Sequence, residues 1–249
     1  TNNKLEKFSM YQDFTSSGVG INFKAGFIYR PIPVLRLGFA IHTPTYYDLD
    51  AYANNNVSAK FTELPVEDAK PTDNFEYGES AWTDYSYKLK TPWRFMASAA
   101  TVLGQRAIIS FDYEYVDYTT AKYSNDGAKN EYLETNNAIK AIYNSTHNFR
   151  AGAEYRFNSV FYLRGGYAYS ASPYTKGEMN EKNDIQIITG GLGLNFGVFY
   201  ADLAYLHKAS KLNGLFYYYE TSKGQVIESP EFQTKFKDNE FRLTLGIRF

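Results

Sequence analysis

Charged side chains recur at every second position inside otherwise apolar stretches of this sequence. Around Ala153, for example, Arg150, Glu154 and Arg156 alternate with alanine and aromatic residues. In an extended chain such alternation places the charges on one face. The residues predicted to share a polar face of this kind are Lys24, Arg36, Arg94, Asp112, Glu114, Arg150, Glu154, Arg156, Arg164, Asp202, Arg242 and Arg248. These residues would either line a path for an ion or substrate or form a set of salt bridges. Salt bridges are favoured, because the acidic and basic residues together produce no electrostatic field of a single sign.

The three histidines, His42, His147 and His207, are the other residues with reactive chemistry. As a catalytic dyad or a haem ligand, each would need a partner that the spacing of the sequence does not provide. We therefore predict no catalytic residue, no metal site and no cofactor. A hydrolase stays as a third hypothesis, and it requires a Ser or Asp within hydrogen-bond reach of His42 or His147.

Composition excludes several classes of protein. The chain has 249 residues, a net charge of −1 and no cysteine. It has no basic footprint for nucleic acid, and it can form neither a disulfide framework nor a thiolate metal site. No run of about 18 apolar residues is present, so a helical membrane span is not predicted.

The elements that carry the charged residues are clearest at the end of the chain. In Glu240–Phe249 five apolar residues alternate with polar residues and glycine, a pattern that gives a strand with one apolar face. The same pattern returns along the chain and predicts nine strands, at 18–29, 34–43, 81–103 with a bend at Pro92, 106–118, 145–157, 160–170, 184–196, 198–208 and 239–249.

The connections between these strands alternate strictly between short and long. Short turns are predicted near 31–33, 104–105, 158–159 and 197. Long polar segments are predicted near 45–80, 119–144, 171–183 and 209–238, with a short helix within 131–142 and irregular structure over 1–17. Short periplasmic turns and long extracellular loops are typical of an all-β, antiparallel transmembrane β-barrel in the bacterial outer membrane. The apolar faces would contact membrane lipid, and the polar faces would line a lumen.

An odd count of nine strands places Thr1 outside the cell when the strands are counted back from Phe249. Single-chain bacterial barrels normally have an even number of strands. We therefore expect this chain to be the C-terminal portion of one larger barrel domain spanning residues 1–249, with an odd number of earlier strands outside it.

Several stretches resemble the FadL-type family of outer-membrane transporters. They are SGVGINFKAGFIYRPIPVLRLGFAIHTPTYYDL at 17–49, YKLKTPWRF at 87–95, YLRGGYAYSASPY at 162–174 and FKDNEFRLTLGIRF at the end. The resemblance implies a fourteen-stranded barrel with an N-terminal plug, so that the plug and five early strands lie outside this chain. It also implies uptake of fatty-acid-like or aromatic compounds, captured at an extracellular hydrophobic groove.

The first long segment supplies the candidate ligand-binding residues Tyr46, Tyr47, Leu49, Tyr52 and Phe61, which no lipid interface explains. They would line an apolar capture groove or form a small loop core. The predicted function is passive passage of small hydrophobic molecules. The alternative is a protein-binding barrel that acts in secretion or surface assembly, with a partner protein at the extracellular loops. Some relatives in the FadL-type family resemble hemin receptors, so the resemblance also allows haem as the ligand.

Overall fold

A computed structural model describes residues 5–61, 76–104, 106–127, 131–220 and 224–248. The structure is almost entirely β. In chain order the strands are β1 (Leu5–Ile21), β2 (Lys24–Ile32), β3 (Leu35–His42), β4 (Tyr46–Phe61), β5 (Glu76–Lys90), β6 (Arg94–Leu103), β7 (Ala107–Asp117), β8 (Lys122–Ser124), β9 (Ser145–Arg156), β10 (Phe161–Ser170), β11 (Ile185–Asn195), β12 (Phe199–Leu215), β13 (Tyr218–Glu220), β14 (Val226–Glu228) and β15 (Glu231–Ile247). One α-helix, α1 (Leu133–Ile142), and a 3₁₀ turn at Tyr118–Thr120 complete the described elements.

Nine strands form one antiparallel sheet in the order β15-β12-β11-β10-β9-β7-β6-β3-β2. Each of these strands overlaps one of the nine predicted from the alternating pattern, and each pairs with its neighbour along that series. The predicted strand 18–29 is divided, however, because residues 18–21 belong to β1 in another sheet and β2 begins at Lys24. The prediction of an all-β, antiparallel fold is therefore confirmed. The chain divides into two compact units, of which the larger contains this sheet and the smaller contains β1, β4 and β5 with residues 123–132.

The short turns lie where the sequence predicts them, and local chemistry explains two of them. Asn158 lies in the turn after β9, and its side-chain oxygen accepts from the amides of Val160 (2.9 Å) and Phe161 (2.7 Å), which closes the turn into β10. Gly197 connects β11 to β12 at φ +87°, a conformation that favours glycine. The short turns lie at one end of the sheet and the long connections at the other.

One face of the nine-stranded sheet is apolar and exposed, and we call it the apolar face. On β15 alone, Phe241, Leu243 and Leu245 are 75%, 65% and 72% exposed. The opposite face, the polar face, carries the predicted charged residues. The buried hydrophobic residues in the described part of the chain are only Ala51, Tyr87, Val116 and Ile139. A water-soluble chain of this length would bury far more apolar surface, so the structure favours an apolar solvent for this face.

Two prolines end the strands on one side of the sheet. Pro44 follows β3 and Pro92 precedes β6, and neither can donate a ladder hydrogen bond. Threonine hydroxyls next to the prolines accept from backbone amides where the ladder ends. The Thr91 hydroxyl oxygen accepts from the Thr45 amide at 2.8 Å, and that of Thr43 accepts from the Phe23 amide at 2.9 Å. The single long strand predicted for 81–103 is therefore wrong, because the chain forms two strands, β5 and β6, that belong to different sheets.

The smaller unit contains a four-stranded sheet in the order β1-β4-β5-β8. The sequence predicts irregular structure over 1–17 and loop over 45–80, and both predictions are wrong where β1, β4 and β5 form. These strands carry polar residues on both faces, so the alternation that marks a membrane strand is missing. Backbone pairing holds them instead, in continuous register from Phe8 with Ala59 to Ile21 with Tyr46. Whether this unit lies outside the cell stays a prediction.

The long segments near 119–144 and 171–183 pack together at the long-connection end of the nine-stranded sheet. The predicted short helix is confirmed as α1, and its Ile139 is buried. The Asn144 amide donates to Pro173 O and the Thr175 amide to Ile142 O, both at 2.7 Å. In the segment 209–238, by contrast, β12 continues to Leu215, β13 and β14 pair, and β15 begins at Glu231, so the predicted loop there is shorter than expected.

Aromatic rings lie over glycines on the polar face near the short-turn end. Tyr162 is the register partner of Gly193, and Tyr200 is the partner of Gly246. A Cβ added at Gly193 would lie 2.0 Å from the Tyr162 ring and 2.7 Å from an Asp202 carboxylate oxygen. The absence of a side chain at Gly193 and Gly246 therefore leaves the space that the Tyr162 and Tyr200 rings occupy.

We expect Gly193→Val to lower the free energy of unfolding by roughly 1–3 kcal/mol, because the valine must displace the Tyr162 ring. Gly190→Ala on the same strand is the control, since nothing lies within 4 Å of a Cβ at that position. Urea titration of both variants in lipid vesicles measures the difference. Equal stability of the two variants would show that the packing of the Tyr162 ring does not require a glycine at position 193.

Candidate functional site

The most buried part of the polar face is centred on the Glu114 carboxylate. Arg94 donates to Glu114 Oε2 through Nη2 and, at 3.1 Å, through Nε, while Asn148 Nδ2 donates to Glu114 Oε1 at 3.0 Å. Glu114 and Asn148 are each only 8% exposed. Asn148 also accepts, through Oδ1, from the Ala171 amide at 3.1 Å. Its side chain therefore joins the sheet to the segment that follows β10.

A second group of charges lies nearer the short-turn end. Glu154 accepts from Arg164 Nε at 2.9 Å and from Arg156 Nε at 3.2 Å, and Arg164 Nη1 donates to Asp202 at 2.7 Å. Arg164 reaches Asp202 across β11, where Gly191 and Gly193 have no side chains in the way. The charges thus compensate one another along four neighbouring strands.

Between the two groups the wall carries small residues. A concavity of about 420 Å³ is lined there by Ser110, Gly152, Gly166 and Thr189 together with charged side chains. Asp112 and Arg150 are register partners that line it, with Glu154 and Arg164 beside them. This part of the polar face therefore combines free volume with charges of both signs.

The remaining predicted charged residues are distributed along the same face. Arg242 pairs with Glu240 on β15. Lys24 is opposite His42 and Arg36 opposite Ala100. Lys24, Arg36 and Arg248 form no ion pair within the residues that the structure describes. That these side chains line a lumen stays a prediction.

Tyrosine rings form a second candidate site on the sheet of the smaller unit. Tyr87 contacts Tyr85 and Tyr123, with ring centroids 5.8 and 5.6 Å apart, and Tyr123 stacks on Tyr132 at 5.9 Å. The Tyr87 hydroxyl is 3.1 Å from Ser16 Oγ. Burial raises the pKa of the Tyr123 phenol, and Tyr87 and Tyr85 add to the rise, so this hydroxyl stays neutral. We call these four residues the tyrosine cluster.

The residues predicted to form a capture groove do not come together as a group. β4 alternates them between two faces: Tyr47 and Leu49 share the face of Tyr87, whereas Tyr46 and Tyr52 lie on the opposite face. Lys90 approaches the Tyr46 ring at 5.9 Å. The side chain of Phe61 lies outside the described part of the structure. The tyrosine cluster is not among the residues predicted from the sequence, although the alternation of Tyr85 and Tyr87 within 81–103 indicates two rings on one face of a strand.

Within the described residues, no histidine forms a hydrogen bond with a Ser or Asp side chain. His147 Nδ1 is 2.7 Å from the Tyr113 hydroxyl, and His207 Nδ1 is 2.8 Å from Asn239 Oδ1. No cluster of three or more potential metal-ligating residues occurs in the part of the chain that the structure covers. Within the same residues, no helix has the length and apolar character needed to cross a bilayer.

Comparison with known proteins decides between the remaining classes. The family model described as "Outer membrane protein transport protein (OMPP1/FadL/TodX)" matches residues 1–196. The chain belongs to the OMPP1/FadL/TodX family. The chain is also similar in structure to a solved FadL homologue from Pseudomonas aeruginosa. The superposition covers 97% of this chain and 75% of the homologue, with 10% sequence identity and a TM-score of 0.48. No curated protein sequence matches significantly.

Membership of the OMPP1/FadL/TodX family confirms three predictions made from the sequence. The protein is located in the bacterial outer membrane, its nine-stranded sheet belongs to a transmembrane β-barrel, and it is a transport protein for hydrophobic compounds rather than an enzyme. The hydrolase hypothesis is therefore dropped. The apolar face is the lipid-contacting surface that such a barrel requires, which explains why its leucines and phenylalanines are exposed.

Proposed function

We propose that this protein mediates passive uptake of small hydrophobic molecules, fatty-acid-like or aromatic, and that the tyrosine cluster first binds them. The observation that supports the proposal is the cluster itself: four rings within contact distance on one sheet face, beside Leu49 and Ala51. Apolar surface with a few hydroxyl groups suits a ligand that has a long apolar part and few polar atoms.

Exposure differs within the cluster and identifies the ring that is available to a ligand. Tyr87 is 9% exposed and holds the cluster together, whereas Tyr85 is 40% exposed. A planar or acyl ligand would therefore contact Tyr85 first. The neutral phenols add no charge that would require desolvation when such a ligand binds.

The polar face supports the passage that would follow capture. Two groups of its charges are paired, Glu114 with Arg94 and Glu154 with Arg156 and Arg164, so these groups create no single-sign field. The concavity between the groups is lined by glycine, serine and threonine. The apolar part of a molecule that passes between the two groups would not have to separate either set of ion pairs.

The test is the substitution Tyr85→Ala, with Tyr52→Ala as the control. Tyr52 lies on the same sheet, is 37% exposed and faces the opposite side. Loss of one ring contact should weaken binding of palmitate or naphthalene by about threefold to tenfold, as expected for an aromatic pair. Fluorescence titration of the purified protein measures binding, and uptake into proteoliposomes measures transport. An equal loss in both variants, or in neither, would contradict capture at the cluster.

A protein-binding barrel is the second candidate, and one observation favours it. The segment between β12 and β15 carries Phe216 and Tyr218 at 75% and 74% exposure. Exposed aromatic residues of this kind are frequent in protein interfaces. A stoichiometric protein that co-purifies with the barrel and masks this hairpin would support the alternative, and palmitate binding without such a protein would support transport.

A further inference from the structure

Three lysines form a basic patch on the apolar side of the sheet, just beyond its apolar residues. Lys211 on β12 is the register partner of Lys235 on β15, and Lys237 lies two residues further along β15 opposite Ala209. Directly opposed residues have Cβ atoms about 5 Å apart, and i and i+2 lie about 7 Å apart on the same face. We refer to Lys211, Lys235 and Lys237 as the lysine patch.

The arrangement is unfavourable unless an anion is present. Like charges directly opposite each other destabilise a strand pair. All three lysines are exposed, and none forms an ion pair within the described residues. The acidic residues of β15 do not neutralise the patch. Asp238 and Glu240 lie on the polar face, where Asp238 is opposite Lys208, and Glu231 lies beyond the patch, opposite Leu215.

The same face of β12 and β15 shows a sharp change along the strands. From the short-turn end, the paired rows are Phe199 with Ile247, Ala201 with Leu245, Leu203 with Leu243 and Tyr205 with Phe241. His207 with Asn239 follows, and the lysines come next. The sequence of rows is therefore apolar, aromatic, neutral polar and basic, which is the order of environments from the bilayer core to its charged surface.

Dimensions place the lysines at the level of the lipid headgroups. Lys237 and Lys235 are ten and twelve residues from Ile247, which gives about 34 and 41 Å along a strand. With a strand tilt of about 40°, the rise along the membrane normal is about 26 and 31 Å, compared with an apolar band of about 25 Å. The patch also lies at the end of the long connections, which is the extracellular end in outer-membrane barrels.

We propose that the lysine patch binds the phosphate groups of an anionic glycolipid in the outer leaflet. The membrane is the occupant that the position selects, because the lysines continue the lipid-contacting face and are not directed into the lumen. Three lysines whose Cβ atoms lie within about 8 Å of one another match a headgroup that carries more than one phosphate. The acyl chains of the same lipid would lie along the leucine and phenylalanine rows of β12 and β15.

The test compares two triple variants of the full-length protein in detergent. Lys211→Gln/Lys235→Gln/Lys237→Gln removes the patch, and Lys140→Gln/Lys176→Gln/Lys182→Gln removes the same charge from exposed lysines of the neighbouring segments. Native mass spectrometry with diphosphorylated lipid A measures affinity. We expect the patch variant to bind more than tenfold more weakly, since each lysine near an anionic surface contributes about a fivefold factor, and the control variant to bind like the parent.

Other outcomes would overturn the proposal. Equal affinity for fully dephosphorylated lipid A would exclude phosphate recognition. Competition by millimolar inorganic phosphate, with no preference for the lipid, would assign the patch to a free anion. Unchanged lipid binding in the patch variant, with loss of an acidic co-purifying protein, would make the patch a protein-binding surface. Heat-dependent gel mobility of both variants verifies that each one is folded.

Discussion

Leu243→Lys should lower the free energy of unfolding in lipid by about 2–4 kcal/mol, because it places an ammonium group near the middle of the bilayer. Leu243 lies on the apolar face of β15, 65% exposed, midway between Ile247 and Asn239. If this face were in contact with water, the same substitution would change stability by no more than about 0.5 kcal/mol. The size of the effect therefore distinguishes lipid from water as the solvent.

Thr244→Lys is the matched control for that prediction. Thr244 is the next residue on the same strand, points to the polar face and is opposite Asp202. A lysine there gains an acidic neighbour and stays in a polar environment, so its effect on stability should be small. Equilibrium urea titration in phospholipid vesicles measures both variants. Similar stabilities would show that the two faces do not differ in solvent.

Arg94→Ala should destabilise the barrel by about 2 kcal/mol, because it leaves the Glu114 carboxylate buried with Asn148 as its remaining partner. Removal of one member of a fully buried ion pair costs about 3–5 kcal/mol. The Arg94 side chain is 46% exposed, however, so solvent already screens part of the interaction and the smaller value applies. Urea titration in vesicles measures the loss.

Two further variants make the Arg94 result specific. Arg36→Ala removes an arginine from the same face that has no ion pair in the described residues, and it should change stability by less than about 0.5 kcal/mol. The double variant Arg94→Met/Glu114→Leu removes both charges and should be more stable than Arg94→Ala alone. A double variant that is no more stable than Arg94→Ala would contradict the idea that the unpaired Glu114 carboxylate causes the loss.

The nine strands of the large sheet could be predicted because lipid and water each select alternate side chains. Residues such as Leu243 and Arg242 therefore reveal both the strand and its two faces. β1 and β4 lie in a unit where both faces carry polar residues, as at Asn54–Asn56, and no alternation marks them. Their pairing depends on register between distant segments, which a single sequence does not reveal.

The same distinction applies to the candidate sites. Alternation predicts that Glu114 lies on the polar face, but its partners Arg94 and Asn148 come from two other strands. A short turn sets the register of β6 with β7, whereas a long segment separates β7 from Asn148 on β9. The tyrosine cluster draws on β5 and on residues 123–132, which are far apart in sequence. Tyr46 and Tyr52 were predicted to act with Tyr47 because the segment was expected to be a loop, in which side chains need not alternate.

The side-chain amide of Asn148 restricts movement of the segment that follows β10. Its Nδ2 donates to the Glu114 carboxylate, and its Oδ1 accepts from the Ala171 amide. Asn148 is almost inaccessible to solvent at this position. The segment of residues 171–175, which is hydrogen-bonded to the end of α1, is thus attached to the nine-stranded sheet. Moving residue 171 away from the sheet would break the Ala171–Asn148 hydrogen bond at a position where water could not readily replace it.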